Sequence, residues 1–278
     1  MKDYVYKLST EDKIASALHV FSTELDGRKY NINWYYGSAY ENNIPASPED
    51  PREYHHQFEN WVNDYKDFIR EGSTVIDIGA FTGDTVLSLA FMAGKGGKAI
   101  AFEPHPKNFK ELDRNVAANP FLDIDIYNAA VMEEDGEFDF LYQTDCNGCK
   151  NGGPSGKGSW TVVTHDYNEP VRVKGININK LLHEKYDIDS VSFIKSDTEG
   201  HDLKILRSII DIIANVKPAI LIERIPGQEH EIKALIEEIG YVVVDKKTKF
   251  EVYSWKWQEH QDLLLLPENS PNINRRLG

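Results

Sequence analysis

The sequence lacks any apolar run of the length that a membrane span requires. The longest runs, such as the one around Ile209 to Ile213, fall well short of the roughly 20 residues that cross a bilayer. The first ten residues, MKDYVYKLST, also lack the apolar stretch of a secretory signal. We therefore expect a soluble, cytoplasmic protein without a membrane span.

Positive charge is scarce as well. The chain has 31 Lys and Arg against 45 Asp and Glu, which gives a formal net charge of −14. The stretch from Lys246 to Lys249 and the pair Arg275-Arg276 are too short for a nucleic-acid footprint. Because a surface this acidic repels phosphate backbones, we expect no nucleic-acid partner.

Cysteine is limited to Cys146 and Cys149, in the stretch C-N-G-C. A tetrahedral structural zinc site would need two further ligands from elsewhere in the chain. We favour the alternative, which is two thiols in a Gly-rich loop. The remaining composition, with 41% apolar and 27% charged residues over 278 positions, is typical of a globular protein with one large core.

From Val75 onward, short β-rich apolar runs alternate with segments of helical periodicity. This alternation predicts a doubly wound α/β fold, in which helices cover both faces of a mostly parallel sheet. The predicted strands are 74–79, 98–103, 122–128, 191–197, 217–223, 241–246 and 261–266, and the predicted helices are 82–93, 106–118, 201–214 and 228–239.

Two segments depart from the alternation. Residues 1–70 carry aromatic residues and a Pro-punctuated link, and we predict an N-terminal helical cap with helices at 10–24 and 53–70. We predict that residues 71–278 form the main, Rossmann-like domain. Within it, about 132–175 predicts an inserted hairpin, with a turn at Asp135-Gly136 and a mobile Gly-rich loop.

The stretch VIDIGAFTGDTV, from Val75 to Val86, predicts a strand that ends in a Gly-rich turn before a helix. Asp77, Gly79 and Gly83 have the spacing D-x-G-x-x-x-G, which differs from the G-x-G-x-x-G that holds a dinucleotide pyrophosphate. A nucleoside without phosphates needs carboxylates for its ribose and ammonium groups. Asp77 supplies one, and Glu103, which ends the next strand, lies where a ribose-binding acid is expected.

Four blocks together resemble the FkbM family of methyltransferases, over most of 72–267. They are VIDIGAFTGDT, AFEPHPKNFKELDRN, NAAV at 128–131 and VSFIKSDTEGHDLKILR at 191–207. The resemblance implies a class I methyltransferase fold, with a seven-stranded sheet whose last strand is antiparallel. It also implies that S-adenosylmethionine binds over the first Gly loop.

Carried over residue by residue, the resemblance assigns cofactor contacts to three motifs. Phe81 stands where the family usually has Asn, which removes one side-chain hydrogen bond to the cofactor but keeps the backbone cradle. The matching positions are Gly79, Ala80, Gly83 and Asp84 in the first motif, Glu103 and Pro104 in the second, and Asn128, Ala129 and Ala130 in the third.

The block K-x-D-x-E-G places Lys195, Asp197 and Glu199 on one side of an extended chain, because side chains alternate along a strand. This ionic cluster can deprotonate a hydroxyl, hold the ammonium group of the cofactor or bind a divalent cation. A structural ion pair is the alternative. Asp197 and Glu199 are our first candidates for the base, with His201 and Glu223 as alternates.

Three weaker signals do not change this interpretation. GGPSGKGS lacks the Gly spacing and the Ser or Thr of a phosphate loop. The aromatic clusters 34–36 and 253–257 would either stack on sugar rings or pack the cap onto the core. His55-His56 would ligate a metal only if both side chains converged, whereas adjacent helical residues face different directions.

The sequence thus predicts an S-adenosylmethionine-dependent O-methyltransferase. The resemblance implies that the acceptor is a hydroxyl of a sugar, a glycan or a glycosylated metabolite. Two alternatives stay open: a methyltransferase for a non-sugar small molecule or a protein, and a nucleotide-binding module without catalysis.

Overall fold

A computed structural model describes residues 18–25, 28–35, 52–142, 169–198, 200–223, 227–252 and 262–274. The strands are β1 (Leu18–Leu25), β2 (Arg28–Tyr35), β3 (Thr74–Ile78), β4 (Lys98–Phe102), β5 (Ile124–Tyr127), β6 (Ala130–Met132), β7 (Gly136–Tyr142), β8 (Glu169–Asn177), β9 (Val191–Ser196), β10 (Ala219–Glu223), β11 (Tyr241–Val244) and β12 (Asp262–Pro267). The α-helices are α1 (Arg52–Tyr65), α2 (Asp84–Ala93), α3 (Pro106–Ala117), α4 (Ile178–Lys185), α5 (Asp202–Ser208), α6 (Ile210–Val216) and α7 (Glu229–Ile239).

Seven strands form the central sheet in the order β11-β12-β10-β9-β3-β4-β5. Strand β12 runs antiparallel to both of its neighbours, and the other strand pairs are parallel. All seven predicted strands are confirmed within two residues at each end. The prediction of a mostly parallel seven-stranded sheet with its last strand antiparallel is therefore confirmed.

Helices cover both faces of this sheet. Because side chains alternate along each strand, successive residues pack against the helices of opposite faces. In β3, Ile76 and Ile78 pack among α4 to α7, whereas Val75 packs among α1 to α3. The predicted helices are confirmed within two residues, except that Ile209 divides 201–214 into α5 and α6. Among the helices in the described part of the chain, none has both the length and the apolarity to cross a membrane.

The chain continues from β3 to β4 and β5 on one side of the sheet, and β9 and β10 lie on the other side. The direction of winding therefore reverses between β3 and β9. In open α/β sheets, ligands bind outside the carboxyl ends of the strands at this switch point. The loops that follow β3, β4 and β9 lie next to one another at this edge of the sheet.

The inserted segment contains the predicted hairpin. Strands β7 and β8 pair antiparallel from Gly136↔Gly175 to Tyr142↔Glu169, and β6 adds a parallel strand next to β8. The rest of the predicted Gly-rich loop, including Cys146 and Cys149, lies outside the described residues.

The helix predicted over 10–24 is wrong for the residues that the structure describes, because 18–25 form β1, which pairs with β2 along its length. Side chains alternate here, since Thr23 is buried between the exposed Ser22 and Glu24. The D-G dipeptide at 26–27 is a strong hairpin signal that outweighs the helical periodicity. The predicted helix 53–70 is confirmed as α1 and a following turn at Lys66–Phe68.

Candidate active site at the carboxyl edge of the sheet

The loop after β3 is a tight turn held by backbone hydrogen bonds. The N–H groups of Gly79 and Ala80 both donate to the carbonyl of Phe102, at 3.0 Å each, and the N–H of Gly83 donates to the carbonyl of Ala80 at 2.8 Å. Gly79 has a φ of +82°, and a Cβ at this position would lie 2.0 Å from the carbonyl oxygen of Asp197. The loops after β3 and β9 therefore touch only because residue 79 is glycine.

Phe81 also has a left-handed backbone, with a φ of +50°. This conformation costs a residue with a bulky side chain free energy that Asn tolerates better. Asn is the residue that the family resemblance expects here, so the substitution retains the backbone shape at the expense of local strain. The N–H of Phe81 donates to Oε2 of Glu103 at 2.9 Å, and this hydrogen bond helps to hold the turn.

A buried ionic cluster joins β3 to β9. Asp77 and Lys195 are direct partners in the parallel ladder, and Nζ of Lys195 lies 3.5 Å from Oδ1 of Asp77 and 3.3 Å from Oδ2 of Asp197. The side chains of Asp77 and Lys195 are 0% and 6% exposed, whereas that of Asp197 is 40% exposed. Asp197 is therefore the member of this cluster that a ligand reaches directly.

The charges in the cluster depend on one another. Burial raises the pKa of Asp77, while Lys195 and a hydrogen bond from Thr85 oppose that rise. Burial alone would lower the pKa of Lys195, but the surrounding carboxylates, chiefly Asp197 and Asp77, outweigh it and raise that pKa. Lys195 is consequently a fixed positive charge rather than a proton donor at neutral pH.

Glu103 is 5% exposed and directly follows β4. Its Oε2 accepts the hydrogen bond from Phe81. Its Oε1 accepts hydrogen bonds from the backbone N–H of His105 at 2.8 Å and from Nδ2 of Asn108 at 3.3 Å. Burial raises the pKa of Glu103 to about 8, although these hydrogen bonds oppose the rise. When this carboxyl group is ionised, three of its about four acceptor positions are in use within the protein.

Asp84 begins α2 on the same side of the sheet as Asp77. Burial raises the pKa of Asp84 to about 6, which Lys195 opposes. Its Oδ2 accepts a hydrogen bond from Nε2 of Gln57 in α1, at 3.3 Å. This contact connects α1 to the first turn of α2.

A further buried carboxylate, that of Asp202, shapes the turn after β9. Asp202 accepts from Oγ of Ser196 at 2.5 Å, from the N–H of Thr198 at 3.2 Å and from the N–H of Gly200 at 3.4 Å. It is 2% exposed, and burial raises its pKa. The sequence alone did not single out Asp202 or Ser196, because an acid in the first turn of a helix is an ordinary feature.

The alternates for the base differ in placement. His201 precedes α5 and is half-buried, and burial lowers its pKa, so its imidazole is neutral at pH 7. Glu223 ends β10, opposite Asp262 of β12. Glu199 lies outside the described residues.

The third predicted motif follows β5. Nδ2 of Asn128 donates to the carbonyls of Glu103 and Pro104, at 2.9 and 3.1 Å. Ala129 is buried, and Ala130 begins β6. These bonds bring the second and third motifs together at the same edge of the sheet as Gly79.

The structure therefore gathers most of the predicted residues at one edge. In the aromatic cluster 34–36, Trp34 is 1% exposed and packs in the core, so its ring is not available to stack on a sugar. The side chains of His55 and His56 lie outside the described part of the chain, as do residues 253–257. Among the described residues, no group of three or more His, Cys, Asp or Glu side chains is arranged to hold a metal ion.

Residues 77–243, more than half of the chain, match the family described as the methyltransferase FkbM domain. The chain therefore belongs to this family of methyltransferases. No curated protein matches the chain.

The chain is similar to several solved structures at low identity. The methyltransferase FkbM of Methylobacillus flagellatus KT is 14% identical with a TM-score of 0.44, and the match covers 77% of this chain and 58% of that one. The ribosomal protein L11 methylase of Lactobacillus delbrueckii subsp. bulgaricus is 11% identical with a TM-score of 0.41, over 78% of this chain and 80% of that one. The precorrin-6y C5,15-methyltransferase of Geobacter metallireducens GS-15 is 11% identical with a TM-score of 0.40, over 80% and 90%.

The residues at this edge fit the polar groups of S-adenosylmethionine. Asp197 offers an accessible carboxylate, and Glu103 retains about one acceptor position for a hydroxyl. Oδ1 of Asp77 is fully buried beside Nζ of Lys195, at 3.5 Å, so Asp77 acts on this edge through Lys195. The site thus combines a tight backbone turn with acceptors for an ammonium group and a ribose.

Proposed function

We propose that this FkbM-family enzyme methylates a hydroxyl group of a sugar, a glycan or a glycosylated metabolite. The observation that carries the proposal is the half-exposed carboxylate of Asp197, which a buried lysine holds beside the turn at Gly79. Bound S-adenosylmethionine would supply an electrophilic methyl group on sulfur. The protein then has to align the acceptor with that methyl group and take up one proton.

The proposed base is Asp197. Lys195 contacts Oδ2 of this carboxylate, which leaves Oδ1 to accept a hydrogen bond from the hydroxyl of the acceptor. The proton would pass to Asp197 as the acceptor oxygen forms its bond to the methyl carbon. The contact with Lys195, 3.3 Å from Oδ2, would hold the carboxylate in place for this transfer. His201, which is neutral at pH 7, is the alternate in the described part of the turn.

We assign the cofactor to the edge formed by the loops after β3, β4 and β5. Glu103 would bind the ribose hydroxyls, and Asp197 would bind the ammonium group, with Asp77 contributing through its contact with Lys195. Asp84, Asn128 and the backbone of 79–83 would complete the contacts. A divalent cation is not needed for this arrangement, since Lys195 already supplies the positive charge next to Asp197.

The choice of a sugar hydroxyl rests on the family resemblance of the block 191–207. The net charge of −14 favours a small-molecule or glycan acceptor over a nucleic acid. A non-sugar small molecule or a protein is the competing acceptor class. A module that binds the cofactor without methyl transfer is the competing function.

Calorimetric titration with S-adenosylmethionine, S-adenosylhomocysteine and NAD, with and without magnesium, tests the cofactor site. We expect Kd values in the micromolar range for S-adenosylmethionine and S-adenosylhomocysteine, and no measurable binding of NAD. Transfer of a labelled methyl group to a panel of sugars, phenols, amines and proteins then tests the acceptor class. Label on a nitrogen acceptor, or binding without any transfer, would contradict the proposal.

A further inference from the structure

The β1–β2 hairpin is hydrogen-bonded to the end of α3 through two asparagines. The backbone N–H of Asn33 donates to Oδ1 of Asn119 at 2.8 Å, and Nδ2 of Asn119 donates back to the carbonyl of Asn33 at 2.7 Å. Nδ2 of Asn33 also donates to the carbonyl of Ala118 at 2.7 Å. Residues 85 or 86 positions apart in the chain are thereby joined by three hydrogen bonds.

The same hydrogen-bond network continues to the loop after β3. Nδ2 of Asn119 also donates to the carbonyl of Asn115, at 2.8 Å. Nδ2 of Asn115 donates in turn to the carbonyl of Thr82 at 2.9 Å, inside the turn that we assign to the cofactor. Asn115, Asn119 and Thr82 are each 0% exposed. A continuous row of amide groups therefore connects the hairpin to the proposed cofactor loop.

Packing reinforces this connection. A Cβ at Gly83 would lie 3.0 Å from Cδ1 of Leu112 and 3.8 Å from Cβ of Asn115, so α3 lies directly against the loop. Ile32 and Trp34 of the hairpin are buried in the same apolar cluster as Leu112. A displacement of the hairpin would therefore be transmitted to α3 by apolar contacts as well as by the amides.

The energetics favour a coupled unit. Removing one partner of a buried hydrogen bond leaves the other without a donor or acceptor, which costs more than the net value of the bond itself. Residues in one hydrogen-bond network also show interaction energies when they are mutated together. The loss of Asn119 would therefore affect Asn33 and Asn115 at once.

We propose that the β1–β2 hairpin braces the cofactor loop through Asn33, Asn119 and Asn115, and that Asn115 and Asn119 are positioning residues for S-adenosylmethionine. The inference rests on the proposed placement of the cofactor over residues 79–83. It gives the β1–β2 hairpin a role in cofactor affinity.

The test is calorimetric titration of S-adenosylhomocysteine into the full-length protein and its variants. We expect Asn115→Ala and Asn119→Ala to weaken binding by roughly five- to tenfold, the scale of one lost hydrogen bond. Asn33→Ala removes a single side-chain bond and should weaken binding less. The double variant Asn115→Ala/Asn119→Ala should lose less affinity than the two single effects combined.

A matched control separates positioning from general destabilisation. Asn179→Ala removes a half-buried asparagine whose Nδ2 donates to the carbonyl of Ser208 at 2.9 Å and to Oδ1 of Asp211 at 2.7 Å, on the other face of the sheet. We expect this variant to lose thermal stability but to bind S-adenosylhomocysteine as the wild type does. Hydrogen exchange in 79–84 should increase in Asn115→Ala and Asn119→Ala but not in Asn179→Ala.

The outcomes are distinguishable. Suppose that the wild type binds S-adenosylhomocysteine, and that Asn115→Ala and Asn119→Ala show the same affinity and the same hydrogen exchange in 79–84 as the wild type. This result would overturn the proposed role of the hairpin but not the proposed cofactor site. Equal losses of affinity in Asn179→Ala would also overturn it, because the effect would then be general. Absence of binding by the wild type would instead overturn the proposed cofactor site, and the inference with it.

Discussion

Lys195 and Asp77 stand opposite each other in adjacent parallel strands, with Nζ and Oδ1 3.5 Å apart in the interior of the protein. This pair lies at the point where the winding of the sheet reverses. It connects the strand before the first Gly loop to the strand that directly precedes Asp197. One ionic contact therefore fixes the two halves of the proposed site relative to each other.

We predict that Lys195→Met destabilises the protein by about 3–5 kcal/mol, the usual cost of removing one partner of a buried ion pair. The reason is that Asp77 has no access to water to compensate for the lost charge. The double variant Lys195→Met/Asp77→Asn should be less destabilised than the two single effects summed. Urea unfolding of the four proteins measures this coupling.

The control is Lys98→Met, which removes an exposed ion pair with Asp123, whose side chains are 31% and 61% exposed. We expect a change of about 0–1 kcal/mol there. If Lys195→Met changes stability as little as Lys98→Met does, the cluster does not hold the strands together.

Gly79→Ala should disrupt the site more than other glycine substitutions. The new Cβ would lie 2.0 Å from the carbonyl of Asp197, in addition to the unfavourable φ of +82°. We expect a destabilisation of roughly 2–4 kcal/mol, since steric overlap adds to the cost of a left-handed residue. Cofactor affinity should fall too, because the two loops must separate.

Gly240→Ala is the matched comparison, because Gly240 has a φ of +68° and nothing within 4 Å of an added Cβ. Only the backbone cost of about 1–2 kcal/mol applies at this position. Similar unfolding midpoints for the two variants would show that the loops after β3 and β9 do not depend on their close approach.

Much of the fold could be predicted because local signals agree with the tertiary structure. The strands of the central sheet are short apolar runs buried on both faces, as in β3, where all five residues are buried. Asp77, Glu103 and Asp197 were recognisable because each lies at or just after the carboxyl end of a parallel strand. The ends of such strands meet at one edge, whatever their order in the sheet.

Contacts that depend on register or on distant parts of the chain could not be predicted. The direct pairing of Asp77 with Lys195 requires both the order of the strands and their register. The bonds between Asn33 and Asn119 require that a hairpin replaces the predicted helix at 10–24. The three hydrogen bonds that Asp202 accepts within the turn could not be predicted either. In the sequence, Asp202 looks like any acid in the first turn of a helix, and only its burial in the structure distinguishes it.

Asp197→Asn distinguishes the two roles proposed for this carboxylate. As the base, Asp197 is needed for turnover, so kcat should fall by roughly 10²- to 10⁴-fold while the Kd of S-adenosylhomocysteine stays the same. As the ligand of the ammonium group, it is needed for binding, and that Kd should rise. Folding should change little, because the side chain is 40% exposed.

Steady-state kinetics with the acceptor found in the panel, together with calorimetry, separate these outcomes. Asp139→Asn is the control. Asp139 lies in β7, and its exposed carboxylate accepts a hydrogen bond from Arg172 at 2.9 Å. If Asp197→Asn retains both turnover and affinity, Asp197 has neither role and His201 becomes the better candidate for the base.

The pH dependence of stability tests the burial of Glu103. Its pKa is raised from 4.5 to about 8 in the folded protein, chiefly by burial. The folded state therefore holds a proton that the unfolded state has released, so the contribution to stability is complete below about pH 4.5 and is lost as the pH rises through about 8. We expect the wild type to lose stability relative to Glu103→Gln by about 1 kcal/mol per pH unit within this window.

Urea unfolding of both proteins at intervals from pH 5 to 9 provides the measurement, and titration with S-adenosylhomocysteine at the same pH values tests the role of Glu103 in binding. An ionised carboxylate accepts hydrogen bonds from ribose hydroxyls better than a protonated one does. Affinity should accordingly rise towards pH 8 in the wild type and stay level in Glu103→Gln. Parallel stability curves would contradict the raised pKa, whereas parallel affinity curves would contradict the contact with the ribose.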